Sequence, residues 1–172
     1  MKKLLILSIA FLQLFSGELY FLPFESHQAL SKLLRWIDHS RSSIDIAMYS
    51  FTNAKIAKRI KNAAKRGVRV RVILDKDQNL KDRYSKIGYL AKYKNIRVYT
   101  LSGKRLRAEE HFGKMHQKLA IIDHKRLVFG SANWSNSAFK RNYELLYFLE
   151  SYPQAKKATK FFELMLKRAH PY

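Results

Sequence analysis

The 172-residue sequence predicts an α/β domain: a mixed, mostly parallel β-sheet flanked by helices on both faces. Three observations carry this. Segments with apolar residues at helical spacing alternate with short segments of strand period. Leu119, Ala120, Ile121 and Ile122 are all apolar, so a strand there is buried on both faces, as in the centre of a covered sheet. The length fits one domain, and 47% hydrophobic residues suffice for a single core.

Taken in order, Lys2 and Lys3 precede an apolar run from Leu4 to Phe15, broken by Ser8 and Gln13. A basic start followed by such a run reads as an export signal, and it is too short for an unaided membrane span. Residues 1–17 are expected to be a cleaved signal or a retained membrane anchor, with residues 18–172 an exported domain, periplasmic or secreted. Leu30, Leu33, Leu34 and Ile37 predict a helix over Ser26–His39. Ile44, Ile46 and Met48 alternate with Asp45, Ala47 and Tyr49, which predicts a strand. Thr52 or Asn53 caps a second helix that turns Ile56, Ile60, Ala63 and Ala64 inward and stops at Gly67. Val68–Leu74 is a strand, Tyr84, Ile87, Leu90 and Ala91 mark a third helix, and Ile96–Thr100 is another strand. Leu101–Lys114 is polar and basic and reads as a surface loop. Met115–Ile122 and Arg126–Phe129 are strands joined by a turn at Asp123 and His124, and Asn142–Leu149 is a further strand. Ser151-Tyr152-Pro153-Gln154 is a capping box opening a last helix with Ala158, Phe161, Phe162, Met165 and Leu166 inward.

Lys and Arg number 34 against 13 acidic residues, a formal charge of +21. Self-repulsion of that size opposes folding, so a polyanionic partner is expected: nucleic acid or an anionic membrane surface. Cations and tyrosines are interleaved around Tyr84 and Tyr93, and Lys104, Arg105 and Arg107 form a basic stretch. These five residues are the expected substrate contacts, the cations on phosphates and the rings on bases. Tyr84 also suits the core face of its helix. The absence of cysteine excludes disulfides, thiolate metal sites and a cysteine-borne lipid anchor. Asp75-Lys76-Asp77-Gln78-Asn79 begins like a calcium loop, but Leu80 stands at the turn glycine and Lys86 at the bidentate Glu. No metal and no cofactor is expected.

The chemically informative stretch runs from His116 to Asn133. On a strand, His116 and Lys118 share a face. Gly130 ends the next strand and permits an unusual backbone, from which Ser131 and Asn133 project a hydroxyl and an amide. Such a cluster supplies a nucleophile or acid–base group, a fixed cation and neutral donors, which is an anion site.

His116-x-Lys118-x4-Asp123-x6-Gly130-Ser131-x-Asn133 resembles the signature of the phospholipase D superfamily, above all its small bacterial secreted nucleases. Ile44–Phe51 followed by Gly67–Val72 is similar to that family's first β-α-β unit, and Asn142-Tyr143-Glu144 resembles its later Asn-x-Glu. The resemblance covers about residues 26 to 168. It implies a phospholipase D-like fold and two catalytic histidines, one forming a phosphohistidine and one protonating the leaving oxygen. This chain has one motif, so it resembles the members that dimerise about a two-fold axis, each subunit giving one His116. Lys118 and Asn133 would hold the non-bridging oxygens, assisted by Ser131; Glu144 would set an imidazole tautomer; Asp123 would brace the site. The implied activity is metal-independent endonucleolytic hydrolysis of DNA or RNA, with single strands preferred. A phospholipase D or cardiolipin-type lipid phosphodiesterase is the alternative, and it calls for an apolar entrance, of which the sequence shows no exposed loop. A non-catalytic DNA-binding or DNA-uptake protein would explain the charge but not the full motif.

Overall fold

A computed structural model of the chain describes residues 16–105 and 112–172. Most of the N-terminal segment, Arg107 and His111 lie outside them. Nine strands and six helices lie along these residues. Strand β1 (Ser16–Leu22) leads into helix α1 (Ser26–Asp38). Strand β2 (Ser43–Met48), helix α2 (Ala54–Lys65) and strand β3 (Arg69–Asp75) form a β-α-β unit, with the Asn53 side chain capping α2 by accepting from Lys55 and Ile56 N–H. Short helices α3 (Lys76–Lys81) and α4 (Ile87–Ala91) lead to β4 (Ile96–Arg105) and β5 (Phe112–Lys114). Strands β6 (Lys118–Ile122) and β7 (Arg126–Gly130), helix α5 (Asn136–Lys140), strand β8 (Glu144–Glu150), helix α6 (Tyr152–Leu166) and strand β9 (His170–Pro171) complete the order.

The sheet runs β1-β8-β7-β6-β2-β3-β4-β5, with β9 also on β4. Every residue of β2 is buried, and β3 is buried from Val70 onward, as strands covered on both faces must be. On one face α1, α2, α4 and α5 pack Leu33, Ile37, Ile56, Ile60, Leu90 and Phe139 against Ile44, Ile46, Val70, Val72 and Val128. On the other, α6 sets Ala155 and Phe162 against Ala47, Ile73, Ile121 and Leu127. The same face carries an ion network: Arg71, 8% exposed, bonds both oxygens of Asp45, 1% exposed, at 2.7 Å each, and Glu163 of α6 at 2.7 Å.

The expected class holds, a mixed α/β sheet with helices on both faces, but its parallel share is smaller than expected. Among the described strands only β2–β3 and β3–β4 pair in parallel; the other six pairings are antiparallel. The reason lies in the connections. Asp123 and His124 both take φ 53°, and Lys125 N–H returns to Ile122 C=O at 3.1 Å, a type I′ turn that folds β7 back on β6. Ser16 and Gly17, where the leader is expected to end, open edge strand β1. A Cβ on Gly17 would lie 1.9 Å from the Tyr147 hydroxyl, so glycine leaves room for that ring to lie over β1. The expected loop over Leu101–Lys114 is in its described parts the β4–β5 pair. Gly103 packs so closely on Gly113 that a Cβ would meet its carbonyl carbon at 2.3 Å.

Candidate active site at the ends of the central strands

The C-terminal ends of β2, β3 and β7 and the starts of β6 and β8 meet at one end of the sheet. The chain leaving β2 is stitched to both neighbours. Tyr49 N–H donates to Gln117 C=O at 2.9 Å, Ser50 N–H to Asn133 Oδ1 at 3.2 Å, and Thr52 and Asn53 N–H both to Trp134 C=O. Phe51 and Trp134, both fully buried, lock edge to face at 5.2 Å beneath this loop. Asp75, 4% exposed, accepts from Met115 N–H at 2.9 Å and so fixes the residue before His116. Its other oxygen accepts from Gln78 N–H at 3.0 Å and caps α3. Buried Asn79 donates to Tyr49 C=O at 2.7 Å and accepts from Phe51 N–H at 3.3 Å.

On this scaffold stand His116 and Lys118. β6 begins at Lys118, so His116 lies just ahead of the strand rather than on it. The two side chains meet all the same. Lys118 Nζ lies 3.1 Å from His116 Nε2 and donates to His116 C=O at 3.0 Å. The Tyr49 ring stands edge-on to the imidazole, centroids 4.6 Å apart, and limits its rotation. Lys118 is 9% exposed while His116 is open to solvent. Burial pushes the Lys118 amine below its ordinary pKa, against the opposing pull of the Glu144 carboxylate. With Lys118 as donor, Nε2 is the unprotonated, accepting nitrogen, and its one lone pair becomes free to attack when a bound phosphate draws the ammonium to itself.

Glu144 reaches the cluster through Ser131. Ser131 Oγ donates to one carboxylate oxygen and accepts from Leu145 N–H at 3.1 Å, while Asn142 Nδ2 donates to the other oxygen at 3.3 Å. Within one chain Glu144 therefore engages Ser131 and Asn142. Gly130 is required by proximity: a Cβ would meet Leu145 C=O at 2.2 Å. The Asn133 carbonyl oxygen is taken by Ser50 N–H, so its amide N–H₂ is the side left to donate.

Asp123 is not brought to this cluster. It sits at the far end of β6, about 16 Å along the strand. There it accepts from Arg41, Ser42 and Ser43 N–H at 3.1, 2.8 and 3.1 Å and from the Ser42 hydroxyl at 3.0 Å. Burial works against its charge, but these donors outweigh it and hold the carboxyl below its ordinary pKa. It braces the entry to β2.

Of the expected substrate contacts, Lys104 and Arg105 lie on the β4–β5 pair and line a cleft that reaches His116. Tyr84 is exposed, 4.7 Å from the Arg83 guanidinium, in a loop tied to the scaffold by Lys86 N–H to Phe51 C=O. Tyr93 is not at the site. It packs on Tyr89 at 5.6 Å, half-buried against the core at the corner before β4. The cleft, about 1110 Å³, also corrects the expected lack of an apolar entrance: Leu101, Phe112, Met115, Phe161 and Leu164 line it together with Lys167 and Arg168. Tyr49, Asp75, Asn79 and Lys114, whose Nζ is 5.7 Å from the Tyr49 ring, are site residues the motif did not reveal. Among the described residues no three His, Asp or Glu side chains gather as a metal site.

Comparison with known proteins agrees with this geometry. A family model described as "Cardiolipin synthase, PLD-like domain" matches residues 33–166. The chain superposes on NucT from Helicobacter pylori with a TM-score of 0.89 and 40% identity, covering 92% of this chain and 99% of that one. It superposes on Nuc from Salmonella typhimurium, a phospholipase D family member, with a TM-score of 0.77 and 25% identity, covering 92% and 98%. It is also 32% identical to a mitochondrial cardiolipin hydrolase of Mus musculus over 85% of this chain, which spans 62% of that longer protein.

Proposed function

Since the chain belongs to the phospholipase D-like family, and so to a superfamily of phosphodiesterases, we propose that it is a metal-independent endonuclease acting on DNA, with one active site shared by two subunits. The observation that carries this is the exposed His116, whose Nε2 lies 3.1 Å from the buried Lys118 ammonium, in a chain with +21 net charge. In the first step His116 Nε2 attacks phosphorus as the P–O bond to the leaving nucleotide breaks, and the partner's His116 protonates the departing oxygen. In the second, that histidine takes a proton from water, the hydroxide attacks phosphorus as the P–N bond breaks, and His116 and a phosphomonoester are released. Lys118 and the Asn133 amide neutralise the non-bridging oxygens as charge builds. The single motif per chain supports the dimer, since a two-fold axis beside His116 is how one copy meets another. Single strands are the proposed preference, and RNA is a second substrate class with the same reacting group. Export, to the periplasm or beyond, is proposed on the sequence of residues 1–17 alone, whether they are removed or kept as an anchor.

A second reading has its own observation. The apolar lining of the cleft at His116 suits an acyl chain, which favours a lipid phosphodiesterase. One assay separates the two: single-stranded DNA, duplex DNA and cardiolipin vesicles, each with the protein in excess EDTA and with His116→Ala alongside. DNA cleavage in EDTA that His116→Ala lowers by 10³-fold or more is the expected result. Cleavage of lipid alone would replace the nuclease reading with the second. DNA binding without cleavage of any substrate would leave a binding protein.

A further inference from the structure

The two most exposed large apolar side chains among the described residues are neighbours, and both lie at the active-site end of the sheet. Tyr143 is 81% exposed and Phe24 77%, and their rings touch with centroids 5.8 Å apart. Tyr143 directly precedes Glu144, the residue that holds Ser131. Phe24 follows β1, whose Leu22 pairs with Glu144 across the sheet. Two strand spacings, roughly 10 Å, separate β8 from β6 and its Lys118.

Both rings are held out by ordered backbone rather than left loose. The Glu25 carboxylate accepts Phe21 N–H at 2.8 Å, and Glu25 N–H returns to Phe21 C=O at 2.9 Å, closing the turn that carries Phe24. On the other side, Asn142 N–H donates to Ser137 C=O at 3.1 Å and its side chain to Glu144, so the backbone on either side of Tyr143 is pinned. Lys140 and Arg141, both exposed, stand beside Tyr143 at the end of α5.

We infer that Phe24 and Tyr143 form a base-stacking platform that seats a single strand beside the catalytic histidine, with Lys140 and Arg141 on its phosphates; this rests on the nuclease reading. Stacking rings next to cations are what sequence-tolerant single-strand binding needs, because every base has a π-face. A paired base in a duplex keeps its faces covered by its neighbours, so the platform rewards single strands. It replaces Tyr93, which is packed away from the site, and lies across the active site from Tyr84, whose hydroxyl is engaged by Arg83 at 2.6 Å.

The test uses the full chain in a His116→Ala background, so that oligonucleotides are bound but not cut. Kd is measured for a single-stranded oligomer and for one of equal length carrying abasic residues. The Phe24→Leu/Tyr143→Leu variant is expected to bind the intact strand 10-fold or more weakly, to lose the preference for intact over abasic strand, and to keep the slope of log Kd against log salt. Tyr143→Phe restores binding. Unchanged Kd in the double variant, or equal losses on intact and abasic strands, overturns the platform while leaving the nuclease reading in place. Loss of the dimer in the double variant overturns it too, and assigns the rings to contact between copies. If the chain with His116 intact neither binds nor cuts DNA, the nuclease reading fails and the platform with it.

Discussion

Lys118 carries a contradiction that is useful to chemistry and costly to folding. Its amine is buried and its pKa lowered by that burial, so the protonated form opposes the fold at neutral pH. The penalty is present while the amine is charged and fades as pH rises through its folded-state pKa toward the unfolded value. Lys118→Met is therefore expected to abolish hydrolysis and raise the thermal midpoint at pH 7, two effects read by a DNA-cleavage assay and by thermal denaturation. Asp123 behaves oppositely. Its folded pKa is depressed, so its contribution is full above the unfolded value and is lost as pH falls through the folded one. Asp123→Asn should cost about 1 kcal/mol at pH 7, and that difference should shrink progressively as denaturation is repeated below about pH 4. His116, Lys118, Ser131, Asn133 and Glu144 were legible because their spacing is specific even where each residue alone is common. Asp123 belonged to the same spacing, yet spacing did not show that it lies at the opposite end of its strand. Tyr49, Asp75 and Asn79 were illegible because their roles arise from contacts across β2, β3 and β6, which no local period encodes.

At the scale of elements, the legible ones are those with an unambiguous period and room to repeat it. The helices α1 and α2 and the strands β2 and β3 have that, and they stand where the sequence puts them. The helices α3 and α5 have only six and five residues, too few for a period, and their caps at Asp75 and Ser135 look like turn residues in isolation, whereas the equally short α4 shows in Ile87, Leu90 and Ala91. Strand β1 was hidden because it follows directly on an apolar run that reads as a leader, with Ser16 and Gly17 reading as the leader's end. Asp45 joins three elements at once, since Arg71 of β3 bonds it while also reaching Glu163 of α6. The Asp45 carboxylate, then burial in opposition, then Glu163 set the guanidinium, whose pKa is raised overall. Asp45→Ala leaves a buried charge under-paired and should cost about 3 kcal/mol in denaturant unfolding, far more than loss of an exposed pair such as Lys81–Asp77.

For the whole molecule, charge was the property most plainly written in the sequence and the sheet's pairing the least. A crossover helix forces parallel strands, but a two-residue turn reverses the chain, and the type I′ geometry at Asp123–His124 depends on two left-handed residues that propensity alone does not single out. The net charge of +21 gives the binding equilibrium its salt signature. Titrating single-stranded DNA with the His116→Ala protein should give a linear fall of log K with log salt, of about 0.7 per phosphate neutralised, so the slope counts the phosphates in the track. The register of β1 on β8 has a practical corollary. Ser16 pairs with Glu150 and Leu22 with Glu144, so β1 begins at the pole opposite His116, roughly 20 Å down the sheet. A bead, resin or electrode coupled ahead of Ser16 would therefore grip the molecule by its heel and leave the catalytic pole facing the solution.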